Sequence, residues 1–340
     1  MNFLNADVDA ELLTLFREIF AKAQHGSPTE PNGLDRTLWS TLQETGLSRL
    51  TGSEAAGGSA GTVADGAAML HAAGYSAARV PVGEHDLLAG WLAETADVTI
   101  SGLATAASTD SHRSAVIPWA RFADTAMVLA STPGSHELMV FDTSGCDITA
   151  GANLAGEPRD AVSLPAVPVH AVTVGPEVAD EFWFRTALLK SALIAGGLAR
   201  VLDMCIEHVT TRVQFGKPIA ALQAVQHLVV DIAAQVRLTE AAVEHAARQV
   251  ANGWSAQPAR FAVATARSVA GHAATVAVRN GHQVHGAIGT TTEHRLHEFT
   301  TRLLAWRGEG GSTAEWDGKV DDLVSAGVGV RLWDLITEGG

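Results

Sequence analysis

The chain has 340 residues, 47% of them apolar, two cysteines and a formal charge of −14. Length and apolar content suffice for a large buried core spread over two or three domains. The acidic balance, with no lysine- or arginine-rich block, argues against nucleic acid and anionic membrane surfaces as partners. No apolar run reaches the roughly 18 residues of a membrane span, and the opening residues lack the basic-then-apolar form of an export signal, so a cytoplasmic location is expected. Cys146 and Cys205 stand far apart and fit neither a disulfide framework nor a zinc-ligand spacing, which predicts two reduced, buried thiols.

Residues 6–95 read as helical. Leu12, Leu13, Leu15, Phe16, Ile19 and Phe20 recur at helical spacing until residues 28–32 break the pattern. A second helix over 38–47 is stopped by a glycine, the glycine-rich residues 57–62 form a loop without the lysine of a phosphate cradle, and a third helix carries Ala67, Met69, Leu70 and Ala73. From 97 to 174 the pattern changes to short runs rich in β-branched residues, at 98–100, 115–117, 126–129, 137–141 and 167–174. Gly, Pro, Asp and Ser clusters separate them, which predicts an antiparallel sheet or small barrel. The remainder reads as a helical bundle with helices over 182–209, 222–250 and 259–278; the small residues of the last one permit close packing. Domain boundaries are expected at 1–96, 97–176 and 177–340.

Between the first two bundle helices lies Arg212-Val213-Gln214-Phe215-Gly216-Lys217-Pro218-Ile219, with Gln223 four residues on. By spacing alone it is a helix end, a tight turn and a new helix start: either an αα-corner with a solvated arginine, or an anion site built from that arginine and free amides. After the third bundle helix comes Gly281-His282-Gln283-Val284-His285-Gly286-Ala287-Ile288-Gly289. His282 and His285 could share a helix face, but no carboxylate at i+3 or i+4 completes a metal site, so no metal is expected.

The order Arg-x-Gln-Phe-Gly-x-x-Ile-x-x-x-Gln, then Gln283-x-x-Gly286, resembles the acyl-CoA dehydrogenase family. There the first segment joins two bundle helices and grips the FAD of a neighbouring subunit, and the second meets the adenosine portion. The N-terminal Leu38-Trp39-x-x-Leu42-x-Glu44-x-Gly46-Leu47 order resembles that family too. The resemblance implies a mostly α chain with a β middle domain: an N-terminal helical domain, a small β-barrel and a C-terminal four-helix bundle. It implies FAD as cofactor, with Arg212 on the pyrophosphate, Gln214, Phe215 and Gln283 near the adenosine half, and Gln223, Gly286 and Ser312 as further contacts. An acyl-CoA substrate and an electron-transfer flavoprotein or similar acceptor follow as expected partners.

Three departures from the family pattern shape the expectation. Ser108-Thr109-Asp110-Ser111 stands where relatives carry a longer flavin-ring loop, Pro118-Trp119-Ala120-Arg121 lacks the Ile-Thr after its tryptophan, and Ala287 replaces a glycine. In the family a carboxylate removes the α-proton of the thioester while the β-hydrogen leaves as hydride to the flavin. Its two usual positions fall here on Gly310 and Thr186, leaving Glu309 as the candidate acid. The implied picture is a subunit whose flavin ring and base lie in a second, acyl-CoA dehydrogenase-like chain, similar to the α2β2 enzymes of actinobacterial steroid side-chain degradation. A flavin-free scaffold or acyl-CoA binder, and a flavin oxidase or monooxygenase, are the alternatives.

Overall fold

The computed structural model describes residues 3–4, 7–23, 33–132 and 134–326. The expected break at 28–32 lies outside them. Helices α1 (Ala10–Ala23), α2 (Arg36–Glu44) and α3 (Val63–Ser76) come first, followed by a π-helical segment, Glu84–Gly90, that runs on into α4 (Trp91–Thr95). The strands are β1 (Ala104–Thr109), β2 (Ser114–Pro118), β3 (Thr125–Thr132), β4 (Ser135–Asp142), β5 (Asp147–Thr149), β6 (Arg159–Ser163) and β7 (His170–Val174). Then come α5 (Pro176–Thr211), a hairpin of β8 (Val213–Gln214) and β9 (Lys217–Pro218), α6 (Gln223–Val250), α7 (Gln257–His285), α8 (Leu296–Gly308) and α9 (Thr313–Ala326). The chain is mostly α with a β middle region, as expected. Its contacts divide into two units, His25–Gly66 with Arg79–Thr186, and Met1–Gln24 with Ala67–Ala78 and Ala187–Gly340.

In the first unit α2 is capped by Asp35, whose carboxylate accepts the Leu38 amide at 2.9 Å, and is stopped by Gly46 at φ 74°. Two sheets follow, ordered β1-β3-β4-β7 and β2-β6-β5. They share a core in which Ala107, Val128, Met139 and Phe141 of one meet Ala115, Ile117 and Val162 of the other. The pairing is antiparallel except at one place: β1 runs parallel to β3, Ala104 opposite Thr125. The run 98–100, expected as a strand, forms none, because Asp97 at φ 54° ends α4 and the Val98 amide turns back to the Ala93 carbonyl at 2.9 Å. Cys146 is half-buried, not buried as expected; Cys205 is buried and its thiol is pushed up to about 12 by desolvation.

The second unit is built on two close approaches. Gly74 of α3 and Gly196 of α5 face each other: a Cβ on Gly74 would overlap the Leu193 carbonyl, and one on Gly196 would overlap the His71 carbonyl. Gly281 lets α7 approach Val201 and Cys205 of α5. This explains why α7 runs seven residues past the expected end at 278. Gly281 serves packing rather than termination, and the helix stops at Gly286 with φ 62°. Ala262, Ala266, Ala270, Ala273 and Ala277 are all buried at helix contacts. The segment Gln257–Thr290 is long and apolar enough to cross a membrane by length and composition, which the sequence reading did not find. It is mostly buried and carries Arg267, Asn280 and His285 among its buried groups, as a core helix does.

Gly196→Ala should lower the denaturant midpoint by about 1–3 kcal/mol of stability, since the methyl meets backbone that cannot move aside. Gly318→Ala, in the exposed interior of α9 with nothing near its Cα, should instead raise it by roughly 0.5–1 kcal/mol. Equilibrium unfolding in urea checks both signs.

Candidate functional site

The last turn of α5 leads directly into the β8–β9 hairpin. The Arg212 amide bonds the His208 carbonyl at 2.9 Å, and the Arg212 carbonyl accepts from the Ile219 amide at 2.9 Å, which closes the hairpin at its base. Its two turn residues, Phe215 and Gly216, have φ of 53° and 78°, the left-handed pair that a two-residue hairpin requires. For Gly216 this costs nothing, whereas for Phe215 it costs about 1–2 kcal/mol. That side chain is also 86% exposed. A strained, solvent-facing aromatic contributes nothing to folding, and strain of this kind collects at sites of recognition. Arg212, Gln214 and Gln223 are exposed as well, and no ion pair holds Arg212 among the described residues. Pro218 pairs in β9, so α6 starts later, at Gln223, with Leu222 in the cap position.

The end of α7 flanks this corner. Rings of His208 on α5 and His285 on α7 stack at 4.5 Å, and His294 lies 4.7 Å beyond His285. Desolvation first, then the neighbouring imidazoles, lowers the His285 pKa to about 4; His208 and His294 are lowered in the same way. The stack is therefore uncharged near neutrality and packs as an aromatic core between the two helix ends. Val284 and His285 point inward while Gln283 and Gly286 are exposed on the outer face. The fold thus gathers Arg212, Gln214, Phe215, Gln283 and Gly286 at one end of the bundle.

Ser312, Glu309 and Gly310 lie in the α8–α9 turn. Ser312 opens α9 in a capping box: its amide and hydroxyl donate to the Glu315 carboxylate at 2.7 Å each, and the Glu315 amide donates to the hydroxyl at 3.3 Å. Glu309 forms an ion pair with Lys190 of α5 at 2.9 Å, the lysine side chain being 5% exposed. Gly310 and Gly311 both have positive φ, and the Gly310 carbonyl accepts from the Trp316 indole at 2.9 Å. The buried Arg267 guanidinium gathers the carbonyls of Trp306, Arg307, Glu309 and Gly311 at 2.8–3.1 Å. At the other expected base position, Thr186 donates its hydroxyl to the Phe182 carbonyl at 2.8 Å.

In the first unit, Ser108 and Thr109 end β1, and a tight turn is closed by the Thr109 hydroxyl, which accepts from the Ser111 amide at 3.1 Å and donates to the Ser114 carbonyl at 3.0 Å. Trp119 is buried at φ 58° in the turn after β2, and Arg121 pairs with the buried Asp160. Sequence reasoning missed the π-helical segment, where three successive ionisable side chains, Glu84, His85 and Asp86, are buried. Such segments carry an extra residue per turn and recur at functional sites. Both Asp86 oxygens lie 3.1 Å from the Thr51 amide. Burial pushes its pKa from 3.8 to about 7, against the downward pull of Thr51, Arg49 and Arg185. His85 Nδ1 lies 2.9 Å from the Ala104 amide nitrogen and 3.2 Å from the Ala104 carbonyl oxygen, and burial lowers the His85 pKa to about 4. His85, Arg49, Ser53 and Glu94 border a cavity of about 810 Å³. No sequence signal marks this group, because a Glu-His-Asp run ordinarily reads as a solvated face.

Helical start, β middle and helical bundle define an acyl-CoA dehydrogenase fold. The chain matches a chain of the ChsE4–ChsE5 complex from Mycobacterium tuberculosis with a TM-score of 0.83 at 23% identity, covering 93% of this chain and 96% of that one. It also matches the Tcur3481–Tcur3483 steroid ACAD G363A variant with a TM-score of 0.82 at 22% identity, over 94% and 98% of the two chains. Residues 177–314 match the acyl-CoA dehydrogenase C-terminal domain. The acyl-CoA dehydrogenase IpdE2 of Mycobacterium tuberculosis is 28% identical over 305 residues, 85% of this chain and 89% of that relative. Residues 177–314 belong to the acyl-CoA dehydrogenase C-terminal domain family, and the chain as a whole has the acyl-CoA dehydrogenase fold.

Asp86→Asn tests the buried carboxyl through its linkage to folding. The folded state holds the Asp86 proton up to about pH 7 while the unfolded chain loses it near 3.8, so wild-type stability falls as pH rises through that window and is level above it. The variant, with no such proton, should gain on the wild type between about pH 4 and pH 7, which urea unfolding at four pH values will read.

Proposed function

We propose that this chain is a subunit of a flavin-dependent acyl-CoA dehydrogenase that introduces an α,β double bond into an acyl-CoA thioester. Its share of the FAD site is the adenosine–pyrophosphate half, and the flavin ring and catalytic base belong to a second, dehydrogenase-like subunit. The exposed hairpin carries this reading: an arginine without an ion pair among the described residues, beside a strained and exposed aromatic. These groups suit the ligand chemically. Arg212 offers a forked donor set to a pyrophosphate, Phe215 a flat face to an adenine, Gln283 an amide, and a Cβ added at Gly216 or Gly286 would meet nothing within 4 Å, so a ligand can reach the backbone there. Gln214 and Gln223 lie at the same corner, whereas Ser312, in the turn beside Lys190 roughly 33 Å along α5 from Arg212, does not belong to it and would meet a flavin elsewhere through the one lone pair its capping box leaves. When bound, FAD supplies the hydride acceptor.

The base is assigned elsewhere because neither expected position carries a carboxylate and the one nearby acid is already engaged. Proton abstraction requires a base within about 2.6–3.2 Å of the proton it takes. Glu309 is turned to Lys190 instead, and protonating it would weaken that pair. An acyl-CoA with a steroid side chain is the favoured substrate class, in keeping with the relative named as a steroid enzyme. An electron-transfer flavoprotein or similar acceptor would reoxidise the flavin. The second reading, a flavin-free scaffold or acyl-CoA binder, is favoured by the capping role of Ser312 and the tight turn in place of a flavin-ring loop.

Flavin absorbance of the chain purified alone and together with a co-expressed partner separates the two readings: flavin only in the complex supports a shared site, and none in either supports the scaffold. Arg212→Ala should weaken flavin retention in the complex by about 1.5–3 kcal/mol, or roughly ten- to 150-fold. Full occupancy after that change would remove the assignment. Glu309→Gln in the same complex should leave turnover near normal, whereas a loss of several orders of magnitude with flavin retained would make Glu309 the base.

A further inference from the structure

The second unit contains a cavity of about 540 Å³ between α1, α3 and α5, within the size range of small-molecule sites. Phe3, Leu13 and Phe16 form apolar walls and are each at most 8% exposed. Polar groups converge at one side. Tyr75 donates its hydroxyl to Asp203 at 2.7 Å, and Asp203 is the one carboxylate among the described lining residues. The Arg200 guanidinium lies 5.5 Å from the Tyr75 ring and 6.0 Å from that of Phe299, makes no ion pair among the described residues, and has its Nε buried without a hydrogen-bond partner. Arg17 adds a second cation to the lining. His71 in the wall pairs with Glu240 at 3.3 Å, so that acid is directed to its own partners, His71 and Arg237. The described lining therefore carries two guanidinium groups, Arg17 and Arg200, against one carboxylate, Asp203, in a mostly apolar chamber. At 1.5 Å per residue, Arg200 stands about 15 Å along α5 from Lys190 in one direction and about 18 Å from Arg212 in the other, so the cavity is separate from the Glu309 turn and from the Arg212 corner.

We infer that this cavity binds a small lipophilic carboxylate, its alkyl or ring body against Phe3, Leu13 and Phe16 and its carboxylate on Arg200. The inference does not depend on the flavin reading. A charge-assisted bond to a guanidinium in a desolvated wall is the interaction that distinguishes an acid from an uncharged lipid of the same length.

Isothermal titration of the full chain with decanoate and with decan-1-ol tests it. Decanoate should bind one per chain with a Kd of about 1 mM or tighter, and the alcohol about tenfold or more weakly. Arg200→Gln should abolish that preference while sparing alcohol binding. Ala72→Phe, which fills the chamber from α3, should remove binding of both. Circular dichroism establishes that each variant is folded, and should one fail to fold, the other carries the test. Absence of saturable decanoate binding to the wild type, equal affinity for acid and alcohol, or an unchanged preference in folded Arg200→Gln would each overturn the proposal.

Discussion

One buried cation organises the end of the bundle. Arg267 is fully buried on α7, and its Nη2 lies 2.8–3.1 Å from four carbonyls around the end of α8. Two of those carbonyls, Trp306 and Arg307, lie in the last turn of α8 and two, Glu309 and Gly311, just beyond it, and the helix dipole adds negative potential at the same spot. Removing a guanidinium from water costs several kcal/mol. Desolvation accordingly lowers its pKa to about 10, still well above neutrality, with Glu309 acting in the opposite sense. The charge is thus retained, and the turn after α8 closes around it: Gly310 and Gly311 adopt positive φ, the Trp316 indole ties back to Gly310, and Ser312 opens α9.

This closed turn bears directly on chemistry. The family resemblance puts one of the two expected positions of the catalytic carboxylate in this turn. Here its residues are committed to the protein itself: backbone to Arg267, Glu309 to Lys190, Ser312 to Glu315. At the hairpin the allocation is reversed. Arg212 and Phe215 are exposed, and Phe215 holds an unfavourable backbone conformation while pointing into solvent. The turn is thus satisfied within the chain, whereas the hairpin leaves Arg212 and Phe215 open to solvent.

Rigid support lies beneath the hairpin. Cys205, His208, Gly281 and His285 form a close-packed contact between α5 and α7, in which burial keeps His285 uncharged. A ligand at that corner would meet positions set by two long helices rather than by a loop alone, which favours precise placement of a charge-assisted contact.

Much of this was legible in the sequence because it is local. Helical spacing of apolar residues located α1, α3, α5 and α6, the β-branched runs located β2, β3 and β4, and the Arg-Val-Gln-Phe-Gly turn with Gln283 marked the corner and the family. What only the tertiary structure decided depends on partners distant in the chain. Strand β1, Ala-Thr-Ala-Ala-Ser-Thr, has no strong strand propensity and exists because β3 offers it a parallel edge. The expected end of α7 lies at 278, and the helix's continuation through Gly281 shows only once α5 is seen packed against that glycine. Glu84, His85 and Asp86 read as a solvated face until burial removes their water. The Arg200 cavity has no sequence signature, since a chamber is the space left between side chains from three helices. Propensity and pattern act through neighbours along the chain, whereas burial, close approach and electrostatic pairing are set by neighbours in space.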